Sequence, residues 1–244
     1  MAERDEKGRT PPQREPAERE DAVYRKKLHK ATFMYGLFAL LVIPVYTLDY
    51  ACNASLLKAS MSMIGGEQGK LAGLIVWGVL SAVFFLSFTN YLFMLTRYRN
   101  LRVKRLMWVA CGLLMAAVFI PFLPEVLPVL SKLHEIFAMT SCILIVITLF
   151  IFSYSLQKYD RRIYVRAMIY LTSAVLMSGV VIFLVGVTSL LEVLFTIAMC
   201  VFLFLMLVWL SRSKDIDVVK AVQEREEDRA ARRCGPEPSE EGAK

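Results

Sequence analysis

Six uncharged, strongly apolar runs alternate with short charged loops along this chain, at 31–48, 71–96, 106–124, 136–157, 167–191 and 193–211. A helix rises about 1.5 Å per residue and the hydrocarbon core of a bilayer is about 30 Å thick, so roughly 20 apolar residues make one crossing. The runs hold 18, 26, 19, 22, 25 and 19 residues, which predicts six transmembrane helices. None carries the wide polar face of a soluble amphipathic helix. The first run is the shortest and contains Pro44, so Lys30 is expected to lengthen it by reaching up to the headgroups. Only Glu192 divides the last two runs, whose 45 residues are too many for one crossing. A turn is therefore expected near Gly186, Val187, Thr188 and Ser189.

Charge orients the helices. Nine Lys and Arg precede the first run, five lie around 97–105, four around 158–166, and eight follow the last run, which accounts for 26 of the 29. Lys58, Lys70 and Lys132 occupy the alternate loops. Basic loops stay on the cytoplasmic side, so both termini are expected there. The fold class that follows is all-α, a polytopic six-helix bundle in the cell membrane. Its parts are a tail and basic collar over 1–30, the bundle over 31–211, and a charged helix and tail over 212–244. Residues 1–22 hold almost no large apolar side chains and are expected to be disordered. Ile216, Val219 and Val222 form a narrow stripe on the C-terminal helix, a place for a protein partner or a second copy.

Composition removes several classes. The net charge of +7 is explained by cytoplasmic loops facing anionic headgroups, and no basic groove interleaved with aromatics points to nucleic acid. Of five cysteines, Cys111, Cys142 and Cys200 fall within runs, Cys234 is cytoplasmic and only Cys52 faces outward, so no disulfide framework is expected. Thirty mostly hydrophilic residues precede the first run, and no cleavable leader is expected.

Candidate chemistry gathers at one membrane face. Ionisable groups at bilayer depth cost about 2.5–3.5 kcal/mol each on insertion scales, and almost none lie deep here. Asp49, Glu67, Glu125, His134, Glu135 and Glu192 all map to the outer interface. The outer ends of spans one, three, four and six are expected to bring Asp49, Glu125, His134 and Glu192 together as a polar site able to hold a headgroup, a cation or a proton. Acidic outer loops also arise simply because Lys and Arg are kept inside, and His134 alone suits a backbone-capping role. Glu192, trapped between two spans by a short turn, requires a specific polar partner, with His134 the leading choice. The two histidines lie on opposite sides and no metal-ligand spacing occurs, so no metal or cofactor is expected. Ser60 or Ser62 with His134 and Glu125 lacks any nucleophile-elbow sequence. Thr172, Ser173 and Ser178 suit helix–helix hydrogen bonds.

Four segments in order carry a resemblance: Ser60-Met61-Ser62-Met63-Ile64-Gly65, Phe122-Leu123-Pro124-Glu125, Leu133-His134-Glu135-Ile136-Phe137-Ala138 and Ser189-Leu190-Leu191-Glu192. Together, across 32–210, they resemble the six-span membrane proteins of the DRAM/Sfk/Frag-like group. That resemblance implies an outward-facing polar site at His134 and Glu192 and a connection with lipid handling, without fixing a reaction. Three functions follow as expectations. The first is a non-enzymatic protein binding a membrane lipid or small amphiphile. The second is a membrane enzyme acting on a lipid headgroup or acyl bond. The third is a structural or regulatory protein acting through its tails.

Overall fold

The first apolar run becomes α1 (His29–Ala51), a continuous helix with a π-helical turn over Phe38–Val42. The widened turn sits just ahead of Pro44, which lacks an N–H and whose ring would otherwise crowd the carbonyl four residues back. The computed structural model describes residues 26, 29–67 and 69–213. The 1–22 tail and the C-terminal stripe at Ile216, Val219 and Val222 lie outside the described residues.

A short helix, α2 (Met61–Glu67), follows a loop; then come α3 (Leu71–Leu95), α4 (Leu101–Phe119), α5 (Pro128–Ser155), α6 (Arg161–Val185) and α7 (Ser189–Arg212). A 3-10 turn over Leu156–Lys158 prolongs α5. The described residues contain no strand. At the end bearing the basic loops, side-chain caps start two helices. Asn100 accepts from the Arg102 N–H at 3.0 Å, and Asp160 accepts from the Arg162 N–H at 2.8 Å. Gly186, at φ 83°, closes α6 and makes the expected turn into α7.

Five helices are long and apolar enough to cross a membrane: α1, α3, α5, α6 and α7, the hallmark of a multi-pass integral membrane protein. The expected six is not reached on this measure. Arg102, Lys104 and Arg105 occupy the first turns of α4, and its uncharged remainder over 106–119 is only about 21 Å of helix.

The larger core lies toward the basic end, where Phe88, Phe93, Phe152, Phe202, Leu92 and Leu149 are fully buried. A smaller cluster around Tyr50, Met61, Ile64 and Leu74 fills the opposite end of α1, α2 and α3. There Gly78 lets α3 approach α4, because a Cβ would lie 2.4 Å from a Val118 methyl. Helix α6 departs from this packing. Its buried residues are Ile163, Ala167 and Leu171, all in its first half, whereas Phe183 and Leu184 are 89% and 71% exposed. Beyond Ala174, the last α6 residue packed against the larger core, the helix is largely exposed, and a cleft lies beside it.

Candidate functional site

The cleft is a cavity of about 650 Å³ bounded by α5, α6 and α7 and roofed by the start of α2. Local sequence places its polar end. Pro121 and Pro124 follow the end of α4, and Pro128 begins α5. The turn between them is held by the Leu123 N–H donating to Ser131 Oγ at 2.9 Å. His134 then falls in the second turn of α5, buried, with the Phe122 ring centroid 5.6 Å from its own. Its Nδ1 lies 2.8 Å from the Ala117 carbonyl and 3.0 Å from that of Ile120. Both partners only accept, so Nδ1 carries a proton, and Nε2 stands outside these two bonds.

Glu192 enters from the first turn of α7. Its Oε2 accepts from the Met61 backbone N–H at 2.7 Å. That bond caps α2, whose Met63 N–H is taken by Ser60 Oγ at 3.2 Å, while Ser60 and Ser62 share a 2.9 Å hydroxyl contact. The loop ahead of α2 returns the favour to α7: the Ala59 and Leu56 carbonyls accept from the Ser189 and Leu190 N–H groups at 2.8 and 2.9 Å. The roof is thus fastened to α7 by three hydrogen bonds.

Below this rim the wall is hydrocarbon. Met139, Ile143 and Ile147 descend one face of α5, opposite Val175 and Ile182 of α6, with Phe195 of α7 between. From His134 to Ile147 the α5 wall runs about 20 Å, comparable to the roughly 15 Å hydrocarbon depth of one leaflet.

His134 and Glu192 therefore line one cavity. Asp49 and Glu125 do not belong to it. Asp49 is exposed near the end of α1, where its carbonyl accepts from Asn53 Nδ2 at 3.1 Å, and Glu125 is exposed in the turn before α5. In place of the expected His134 partnership, Glu192 Oε2 accepts from the Met61 N–H, and His134 turns Nδ1 to the end of α4. The walls differ from expectation as well: the fifth apolar run, as α6, supplies a wall, the third contributes only Phe122 beyond the end of α4, and the first contributes none. Thr172 and Ser173 are exposed, and Ser178, which lines the cavity, bonds its own helix at the Ala174 carbonyl. Ser60 and Ser62 do reach the cavity with His134, but Glu125 stands apart and completes no triad.

Sequence reasoning missed Gly179 and Cys142, both in the walls. The signal for Gly179 was present: a glycine in a helix interior costs about 1 kcal/mol and asks for a reason. No three His, Cys, Asp or Glu side chains group to hold a metal among the described residues. No family model, curated protein or solved structure matches this chain.

Proposed function

We propose that this chain is a six-span protein of the cell membrane, with both termini cytoplasmic, whose extracytoplasmic cavity binds a lipid-like amphiphile without transforming it. One observation carries the reading. The cavity has a polar end at His134 and Glu192, a hydrocarbon wall about one leaflet deep, and an open side along the exposed half of α6. An amphiphile already in the outer leaflet has that same division of polar and apolar parts. The resemblance to the DRAM/Sfk/Frag-like group agrees with this assignment.

The sixth crossing rests on where the ends of α4 are held. Its final residues meet Gly78 near the start of α3 and His134 near the start of α5. Its beginning follows Tyr98, whose ring packs against Phe93 and Phe152 near the opposite ends of those helices. A helix fastened so at both ends traverses the same slab as its neighbours, with Arg102, Lys104 and Arg105 in the headgroups. Orientation rests on the 26 Lys and Arg in the tails and the 97–105 and 158–166 loops, against three in the other loops.

The test is lipid retained through purification, measured by mass spectrometry for wild type, His134→Ala and Glu192→Ala, with Asp49→Ala and Glu125→Ala as exposed controls. The two cavity variants are expected to lose the retained species and the controls to keep it. Identical lipid content in all five refutes the assignment.

A second reading draws on the hydroxyl pair at the rim. With Nδ1 held by carbonyls, the His134 Nε2 is free to act as a base toward Ser60 or Ser62, as acyl transfer would require. A fluorophosphonate ester labelling either serine in a His134-dependent way supports that chemistry, and absence of labelling dismisses it.

A further inference from the structure

The cavity's electrostatics narrow what its polar end accepts. No Lys or Arg lines it. Lys132, just before His134 on α5, is tied to Glu135 Oε2 at 2.7 Å, and Lys70 is bonded to Asn53 Oδ1. The first turn of α7 would attract an anion, but Glu192 already stands there with its own carboxylate. The rim is rich in acceptors: His134 Nε2, which accepts in the neutral imidazole, Glu192 Oε1, since Oε2 is engaged by Met61, and the Glu135 carboxylate, with the Ser60 and Ser62 hydroxyls beside them. A phosphate offers only acceptors and negative charge, and its recognition calls for cations or clustered N–H donors. Set beside Glu192 in a cavity lined by no Lys or Arg, it would find no cation to offset its charge.

We propose that the cavity selects amphiphiles whose head is a hydrogen-bond donor without phosphate, a hydroxyl or amine on a long hydrocarbon chain. The hydroxyl or ammonium donates to His134 Nε2 and Glu192 Oε1, and the chain lies along Met139, Ile143 and Ile147. This deepens the amphiphile-binding reading and rests on it.

The experiment uses the full chain in nonionic detergent and native mass spectrometry with three probes of similar chain length: 1-palmitoylglycerol, sphingosine and palmitoyl lysophosphatidic acid. At least one phosphate-free probe is expected to bind about tenfold or more tighter than the lysophosphatidic acid, the margin of one charge-assisted hydrogen bond. Which of the two leads separates a hydroxyl source from an amine source. Glu192→Gln keeps an acceptor for the Met61 N–H but removes the charge. It is expected to weaken sphingosine by about tenfold and leave palmitoylglycerol within about twofold. Met63→Arg adds a guanidinium to the lining and is expected to raise lysophosphatidic acid binding by about tenfold. Lysophosphatidic acid binding as tightly as the other probes to wild type overturns the selectivity and leaves amphiphile binding standing. Failure of all three probes to bind removes both.

Discussion

Gly179 offers the most direct way to close the cavity without disturbing the fold. It lies on the exposed half of α6 in the cavity wall, and a Cβ built there meets no neighbouring atom within 4 Å. A phenylalanine at 179 therefore enters open space. Relative to glycine it favours the helix by about 0.5 kcal/mol, so the folded state is not threatened. If its ring keeps about three chain methylenes off the wall, the loss at about 0.8 kcal/mol each is about 2.4 kcal/mol, a rise of roughly 50-fold in Kd. Gly112 supplies the matched control: it also has nothing within 4 Å of its Cβ, but it is exposed on α4, away from the cavity. Titrating the tightest-binding amphiphile against Gly179→Phe, Gly112→Phe and wild type is the assay, with melting temperatures taken in parallel. Equal affinity in all three proteins, each folded, would refute the claim that the ligand lies between α5 and α6.

Three further outcomes test the scaffold around the site. Gly78→Ala is expected to destabilise by about 1–3 kcal/mol, because its Cβ would sit 2.4 Å from Val118 Cγ1, and Val118→Ala in the same chain should recover part of the lost melting temperature. Glu192→Ala strips the Met61 N–H of its acceptor and should cost about 1–3 kcal/mol, with faster hydrogen exchange at 61–63; Glu192→Gln should keep wild-type stability. A membrane-impermeant maleimide on intact cells should modify Cys52 and Glu125→Cys, while Arg99→Cys and Tyr159→Cys react only after permeabilisation. Labelling of Glu125→Cys and Arg99→Cys from the same side would show that α4 does not cross.

Helix positions were legible in the sequence because a bilayer-crossing segment writes its length directly into an uncharged run. The α6–α7 turn was legible because a lone Glu192 and Gly186 interrupt 45 apolar residues. Glu192 itself was recognisable as needing a partner, since its short turn leaves it little freedom to reach water. Its partner was not readable, because a backbone N–H such as that of Met61 has no signature in sequence. Nor was the exposure of the second half of α6. That half is uncharged and apolar, and whether Val175 or Ile182 faces a neighbouring helix or a cleft depends on packing that hydropathy does not record. Asp49 and Glu125 were grouped with the site because they share its depth, yet depth fixes one coordinate of three.

The identity of residue 192 bears on what the cavity does. Capping α2 requires only an oxygen, and Ser60 supplies one to the Met63 N–H in the same turn with a neutral hydroxyl. A carboxylate in the first turn of a bilayer helix is a more expensive choice than serine or asparagine, which would cap equally well at lower desolvation cost. The Met61 bond engages one of its two oxygens, so capping accounts for half the group and none of its need for charge. His134 is divided the same way, one nitrogen spent on the end of α4 and the other left over. Each residue thus has a structural half that fixes its orientation and a remaining half on the cavity side. Stability that survives Glu192→Gln alongside weakened ammonium binding would separate those halves, whereas loss of both together would make 192 a capping residue and nothing more.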